Sequence, residues 1–190
     1  MKVAVVVSAL FVAVVAAVCA QTAATASARP SVESCADAIY TTPANAPPKP
    51  VQAVTLGAAV FNSLAHLTTL RGLDKRTKAF PFYTVKSPLT ILARARRGVT
   101  ITLVGDGNNV ALLYSRKWLQ RLAAWHYTLA DVPNSVRLPL CTDTNTKLPL
   151  NTQYAGGFLL RKPGCVTIEV QAVGESKMHR ATVPIGVSRC

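Results

Sequence analysis

After Cys165 the side chains alternate without a break: Val166, Ile168 and Val170 fall on one side, Thr167, Glu169 and Gln171 on the other. This period of two is what a strand with one buried face requires. Upstream, Phe158 and Leu160 alternate with Leu159 and Arg161, and Pro163-Gly164 separates the two runs. Proline sets φ at the second position of a tight turn and glycine supplies φ > 0 at the third. Residues 156–170 therefore read as a β-hairpin with a half-cystine beside its turn.

That cysteine raises the question of compartment, and the start of the chain answers it. Met1-Lys2 is a short basic head, residues 3–18 are an uninterrupted apolar run, and Ala26-Ser27-Ala28 is the small-residue pattern at which export signals are cut. The alternative, a retained membrane anchor, meets a run shorter than the roughly 20 residues that span a bilayer. A lipid-modified Cys19 would need a small residue where Val18 stands. Cleavage after Ala28 removes Cys19 and leaves 162 residues, enough for one domain with a real core. It also leaves Cys35, Cys141, Cys165 and Cys190, an even number suited to an oxidising compartment. Four cysteines allow three connectivities. The expected pairs are Cys141–Cys165, closing the hairpin entry, and Cys35–Cys190, joining the chain ends. A metal site would want C-x-x-C pairs or nearby histidines, and neither occurs.

Residues 29–50, with five prolines, read as an extended leader ahead of a β-domain spanning residues 51–190. A first strand is expected over 52–61. Leu64, Leu67, Leu70 and Leu73 recur every third residue and leave helix or loop open. Residues 80–85 are aromatic and extended, and 88–93 place Leu89 and Ile91 inward. Residues 94–98 form a polar connector. Val99, Ile101 and Leu103 alternate with threonines, and the turn signal at 105–109 predicts a hairpin with 110–114. Trp118, Leu119, Leu122 and Trp125 make a short apolar stripe over 116–125 that reads as the one helix expected or, alternatively, as an irregular edge segment. Strands at 136–140 and 179–187 complete the pattern. Many short strands between Gly, Pro and Asn turns predict an antiparallel immunoglobulin-like β-sandwich, with a small barrel second.

Lys and Arg total 21 against 8 acidic residues, and losing Lys2 keeps the net charge near +12. The basic residues are scattered, as on a solvated surface. Such a surface also attracts anionic cell-wall or membrane-surface polymers. Nucleic acid is not expected, since no zinc-finger spacing, RNP-like motif or basic recognition helix is present. His66, His126 and His179 sit in no nucleophile elbow, and no G-x-S-x-G occurs. His126 stands out, between Trp125 and Tyr127 and near Asp131. Asp106-x-Asn108 opens like a calcium loop but lacks the later ligands. Glu169 reads as a cross-strand or solvent carboxylate. Trp118 and Trp125 suit core packing or, alternatively, a sugar-stacking platform. No cofactor is implied.

The pattern Gly156-Gly157-Phe158, Gly164-Cys165-Val166, Val183-Pro184-Ile185-Gly186 and Cys190 resembles uncharacterised secreted, disulfide-bonded β-domain proteins of high-GC Gram-positive bacteria. The resemblance covers mostly the last third and implies secretion and a disulfide-bonded β-domain, with no activity to transfer. The expectation is a non-enzymatic protein that binds or associates structurally at the cell envelope. A small secreted hydrolase with a His-based site, and a subunit docking a partner strand on a sheet edge, are the alternatives.

Overall fold

The computed structural model describes residues 30–46, 49, 52–67, 82–105, 109–123, 129 and 132–190. The expected signal peptide, the residues Trp125 and His126, and Asp106 to Asn108 lie outside them. In chain order the strands are β1 (Ser31–Val32), β2 (Ala38–Pro43), β3 (Val54–Leu56), β4 (Ala59–Phe61), β5 (Tyr83–Lys86), β6 (Leu89–Ile91), β7 (Val99–Val104) and β8 (Val110–Leu112). Helix α1 (Arg116–Ala123) follows, then β9 (Ser135–Leu138), β10 (Leu150–Tyr154), β11 (Gly157–Leu160), β12 (Gly164–Ala172) and β13 (Met178–Ile185). They form three sheets in the orders β1-β9-β7-β12-β13, β2-β10-β6-β4-β3 and β5-β11-β8. The fold is all-β and sandwich-like with little helix, and no sheet closes into the small barrel held as second choice. Among the described residues no helix is long and apolar enough to cross a membrane.

The three sheets share one core. Ile101 of β7, Ile168 of β12, Ile91 of β6, Tyr154 of β10 and Phe158 of β11 all belong to it and are almost wholly buried. Phe61, Tyr114 and Phe158 meet at ring-centroid distances of 6.0 to 6.3 Å, with Tyr114 edge-on to both phenylalanines. Burial pushes the Tyr114 hydroxyl well above the usual phenol range, and the hydroxyl donates to Ser87 O at 2.7 Å. A second, smaller core lies on the other face of the three-stranded sheet. There Ala111, Leu113 and Leu159 meet Trp118 of α1, with Phe82, Leu129 and Val132. β11 is therefore buried on both faces, which is why its residues are apolar in succession.

This burial overturns the hairpin expected over residues 156–170. β11 pairs with β5 and β8, whereas β12 pairs with β7 and β13. The chain changes sheets between Leu160 and Gly164, and Gly164 does not take the positive φ expected of it. β12 finds its hairpin partner in β13, across a turn where Gly174 has φ +90°. Likewise β8 does not return beside β7 but joins β11. The strand expected over 52–61 is two strands, β3 and β4, folded back at Gly57-Ala58. The 3-10 turn at Leu64–His66 resolves the start of the leucine-rich stretch.

Within the segment 29–50, expected as an extended leader, two described stretches pair with the β-domain. β1 runs parallel to β9, and β2 pairs with β10 at the edge of its sheet. The disulfides follow from these pairings, and both expected pairs are wrong. Cys35 bonds Cys141, because β1 and β9 run side by side and deliver both cysteines to the same end. Cys165 bonds Cys190, because Cys165 sits opposite Pro184 on β13, just before the chain ends.

Gly157 shows how closely the strands approach: a Cβ there would lie 1.7 Å from Val85 O. Gly157→Ala is expected to cost about 2–4 kcal/mol, read as a lowered denaturant midpoint with unchanged slope. The disulfides span 106 and 25 residues of sequence. Loop-closure entropy predicts losses of about 5 kcal/mol for C35A/C141A and about 3.5 for C165A/C190A. A larger loss from the shorter loop in equilibrium unfolding would contradict this account.

Candidate functional site

Three connections meet at one end of the sandwich: the β3–β4 turn, the segment between β6 and β7, and the β12–β13 turn. Backbone bonds tie them together. Leu92 N–H donates to Ala58 O at 2.8 Å, and Val173 N–H donates to Gly98 O at 3.0 Å. The buried Asn151 of β10 adds a side-chain clamp. Its Oδ1 accepts from Ala93 N–H at 2.9 Å, while its Nδ2 donates to Pro43 O at 2.8 Å. A buried amide satisfied on both ends holds its neighbours in one arrangement.

The segment so held carries Arg94, Ala95, Arg96 and Arg97. Ala93–Ala95 is a single 3-10 turn. Arg96 then takes φ 56° and ψ −47°, and Arg97 N–H donates back to Ala95 O at 2.5 Å. That is a γ-turn of the positive-φ kind, rare and strained for any residue with a Cβ. Strain of this sort costs about 1–3 kcal/mol and persists where the surroundings fix it. Here Ala95 is buried and Gly98, at φ +106°, lies against the backbone of Leu138 and Pro139 with no room for a Cβ.

The turn distributes the arginines over two adjoining hollows. Arg94, Gly57, Val170 and His179 line one of about 250 Å³. Arg96, Arg97, Val173 and Gly174 line the other, of about 350 Å³. Ala95 and Glu175 border both. Arg94 donates through Nη2 to Gly57 O, so its guanidinium is anchored. His179 stands on the inward side of β13, and a Cβ on Gly57 would come within 2.6 Å of its Cδ2. Glycine at 57 thus serves both its φ of +57° and the seat of the imidazole. Among the described residues, three arginines and one carboxylate, Glu175, line the hollows. Among the described residues Arg96 and Arg97 have no ion-pair partner. Arginine forks match carboxylate and phosphate oxygens, so the groove suits an anion.

The residues singled out in the sequence are placed differently. Trp118 is 7% exposed, with Arg121 Cζ 4.9 Å and Lys117 Nζ 5.8 Å from its ring centroid. It is a core residue roofed by cations, not a sugar platform. Trp125 and His126 lie outside the described residues, as does the His66 side chain. Glu169 pairs with Arg180 across β12 and β13 at 3.5 Å. Cys35, Cys141, Cys165 and Cys190 form the two bridges. Among the described residues no three or more His, Cys, Asp or Glu side chains are grouped to hold a metal ion. The arginine groove itself was read from sequence as a polar connector; three arginines in four residues ahead of a strand were the signal.

Neither a protein-family model, nor a curated protein, nor a solved structure matches this chain.

Two carboxylates away from the groove, Asp37 and Asp143, are committed to turns. Asp37 accepts from Ser34 Oγ at 2.8 Å and Ser34 N–H at 3.0 Å. Asp143 accepts from Thr146 N–H at 2.7 Å, Thr146 Oγ1 at 3.0 Å and Asn145 N–H at 2.9 Å. Ser34 and Thr146 respectively hold these carboxyls below the usual carboxylate range. A lowered folded pKa gives stability that is present above the unfolded pKa and is lost as pH falls through the folded one. The melting temperature is therefore expected to decline below about pH 4. Asp143→Asn should flatten that acid decline, measured as melting temperature against pH. An unchanged acid limb in the variant would refute the assignment.

Proposed function

We infer that the protein is exported and acts outside the cell, without catalysis, by attaching to anionic material at the cell envelope. The observation that supports this reading is the arginine groove: three arginines carried by a strained turn at one end of the sandwich, opposed among the described residues by a single carboxylate. The long-range field supports it. A net charge near +12 after signal cleavage draws the protein to negative surfaces before any contact forms. Two disulfides fit an oxidising exterior, and the resemblance of the last third to secreted bacterial β-domains points the same way. The immunoglobulin-like form of the sandwich belongs to this reading too.

The hydrolase alternative needs a histidine within reach of a carboxylate and a hydroxyl. His179 shares its hollow with Glu175, but among the described residues no Ser, Thr or Tyr lines that hollow. The partner-strand alternative would use β2, an edge strand whose Ile39 and Tyr40 are both 57% exposed. The groove is preferred because its groups specify a ligand charge.

Retention on isolated envelope material is expected at low salt and is expected to be lost near 1 M, where screening reaches about 3 Å. Binding that is equal at both salt concentrations would remove the electrostatic basis of this reading.

A further inference from the structure

We propose that the groove is a two-part site for a phosphate-type polyanion, with one oxyanion seated by Arg94 and a second by Arg96 and Arg97. The inference rests on the reading above and specifies its ligand. Four consecutive residues would normally crowd three like charges together. The 3-10 turn followed by the γ-turn separates them instead. Arg94 is directed to the hollow beside His179, while Arg96 and Arg97 line the one beside Gly174. The buried Ala95 lies between, so the two hollows are neighbours sharing a wall. A single small ion fills one of them. A ligand bearing two or more linked anionic groups fills both, and linkage converts the second contact into an intramolecular one.

The second hollow favours phosphate over carboxylate. One arginine fork already occupies both oxygens of a carboxylate, whereas a phosphate group offers further oxygens to a second guanidinium. Glu175 borders both hollows and repels the same ligand. It makes the site selective against weak anions and gives the test a residue of opposite sign.

Arg96 supplies a variant that does not endanger the fold. Glycine adopts φ 56° without the Cβ penalty, so Arg96→Gly removes a guanidinium and relieves the turn. The probes are inorganic orthophosphate, tripolyphosphate and tricarballylate, titrated calorimetrically into the oxidised secreted protein. Tripolyphosphate is expected to bind at least about tenfold more tightly than orthophosphate, as linked groups should. Arg96→Gly should lose about tenfold in tripolyphosphate affinity with an equal or higher melting temperature. Arg94→Ala should bring tripolyphosphate close to orthophosphate, and Glu175→Gln should tighten both. Equal affinity for the two phosphates, or wild-type binding by Arg96→Gly, would overturn the site. Tighter binding of tricarballylate would overturn the phosphate assignment. The parallel envelope-retention assay separates the two levels. Salt-sensitive retention by wild type and Arg96→Gly alike leaves the attachment reading standing and removes this site. Failure of the wild type to be retained even at low salt removes the attachment reading itself.

Discussion

The rest of the fold depends on β11 being covered on both faces. Phe158 and Leu160 point into the main core and Leu159 into the second, so the three-stranded sheet cannot sit at the surface. Its inner face is closed by the two five-stranded sheets, its outer face by Trp118 of α1 and the segments around Phe82 and Val132. A strand in this position needs neighbours at close range, which explains the glycines before Phe158. Side chains at Gly156 and Gly157 would meet Leu113 O and Val85 O respectively. Once β11 is committed inside, β12 has to leave it for the outer sheet, where only one face is buried and Thr167, Glu169 and Gln171 reach solvent or cross-strand partners. One constraint thereby sets the sheet change at residues 161–163, the hairpin of β12 with β13 and the cysteine pairing at the chain's end.

This also explains what could be read in advance. Alternation identifies strands with one wet face, and β7 and β12 were legible for that reason. Alternation says nothing about which strand lies beside which. Sequence neighbours were taken for spatial neighbours at residues 156–170 and at 99–114, and both hairpins failed where a doubly buried strand intervened. The run Val110-Ala111-Leu112-Leu113-Tyr114 carried the warning: five apolar residues in succession mark two buried faces. The disulfides were illegible for the same cause. Cys35 and Cys141 come together through a parallel pairing of two short strands 105 positions apart in sequence, which no local pattern announces.

The site was harder to read than the fold. A charged run between strands is ordinarily a solvated connector, and residues 94–98 read that way. What distinguishes them is a backbone state, positive φ at Arg96, which sequence rules assign to Gly, Asn or Asp. The clamp that enforces it comes from Asn151 in β10, more than fifty residues away, an amide that alone reads as a polar strand residue. Gly57 is similar. Its turn was missed within a run taken as one strand, and the room it leaves for His179 exists only because β13 passes close to β3.

Why an arginine occupies position 96 is the sharpest question the structure raises. Glycine there would remove a strain of about 1–3 kcal/mol, a large part of the stability of a domain this size. Lysine would keep the charge but lose the planar fork. Among the described residues no carboxylate pairs with the Arg96 guanidinium. A buried structural role would show the side chain packed, yet Arg96 and Arg97 are both exposed. Strain without an ion-pair partner among the described residues is what the proposed anion site would account for. The two disulfides and the doubly buried strand supply a frame that holds a costly turn, and the turn sets where the exposed Arg96 and Arg97 side chains leave the backbone.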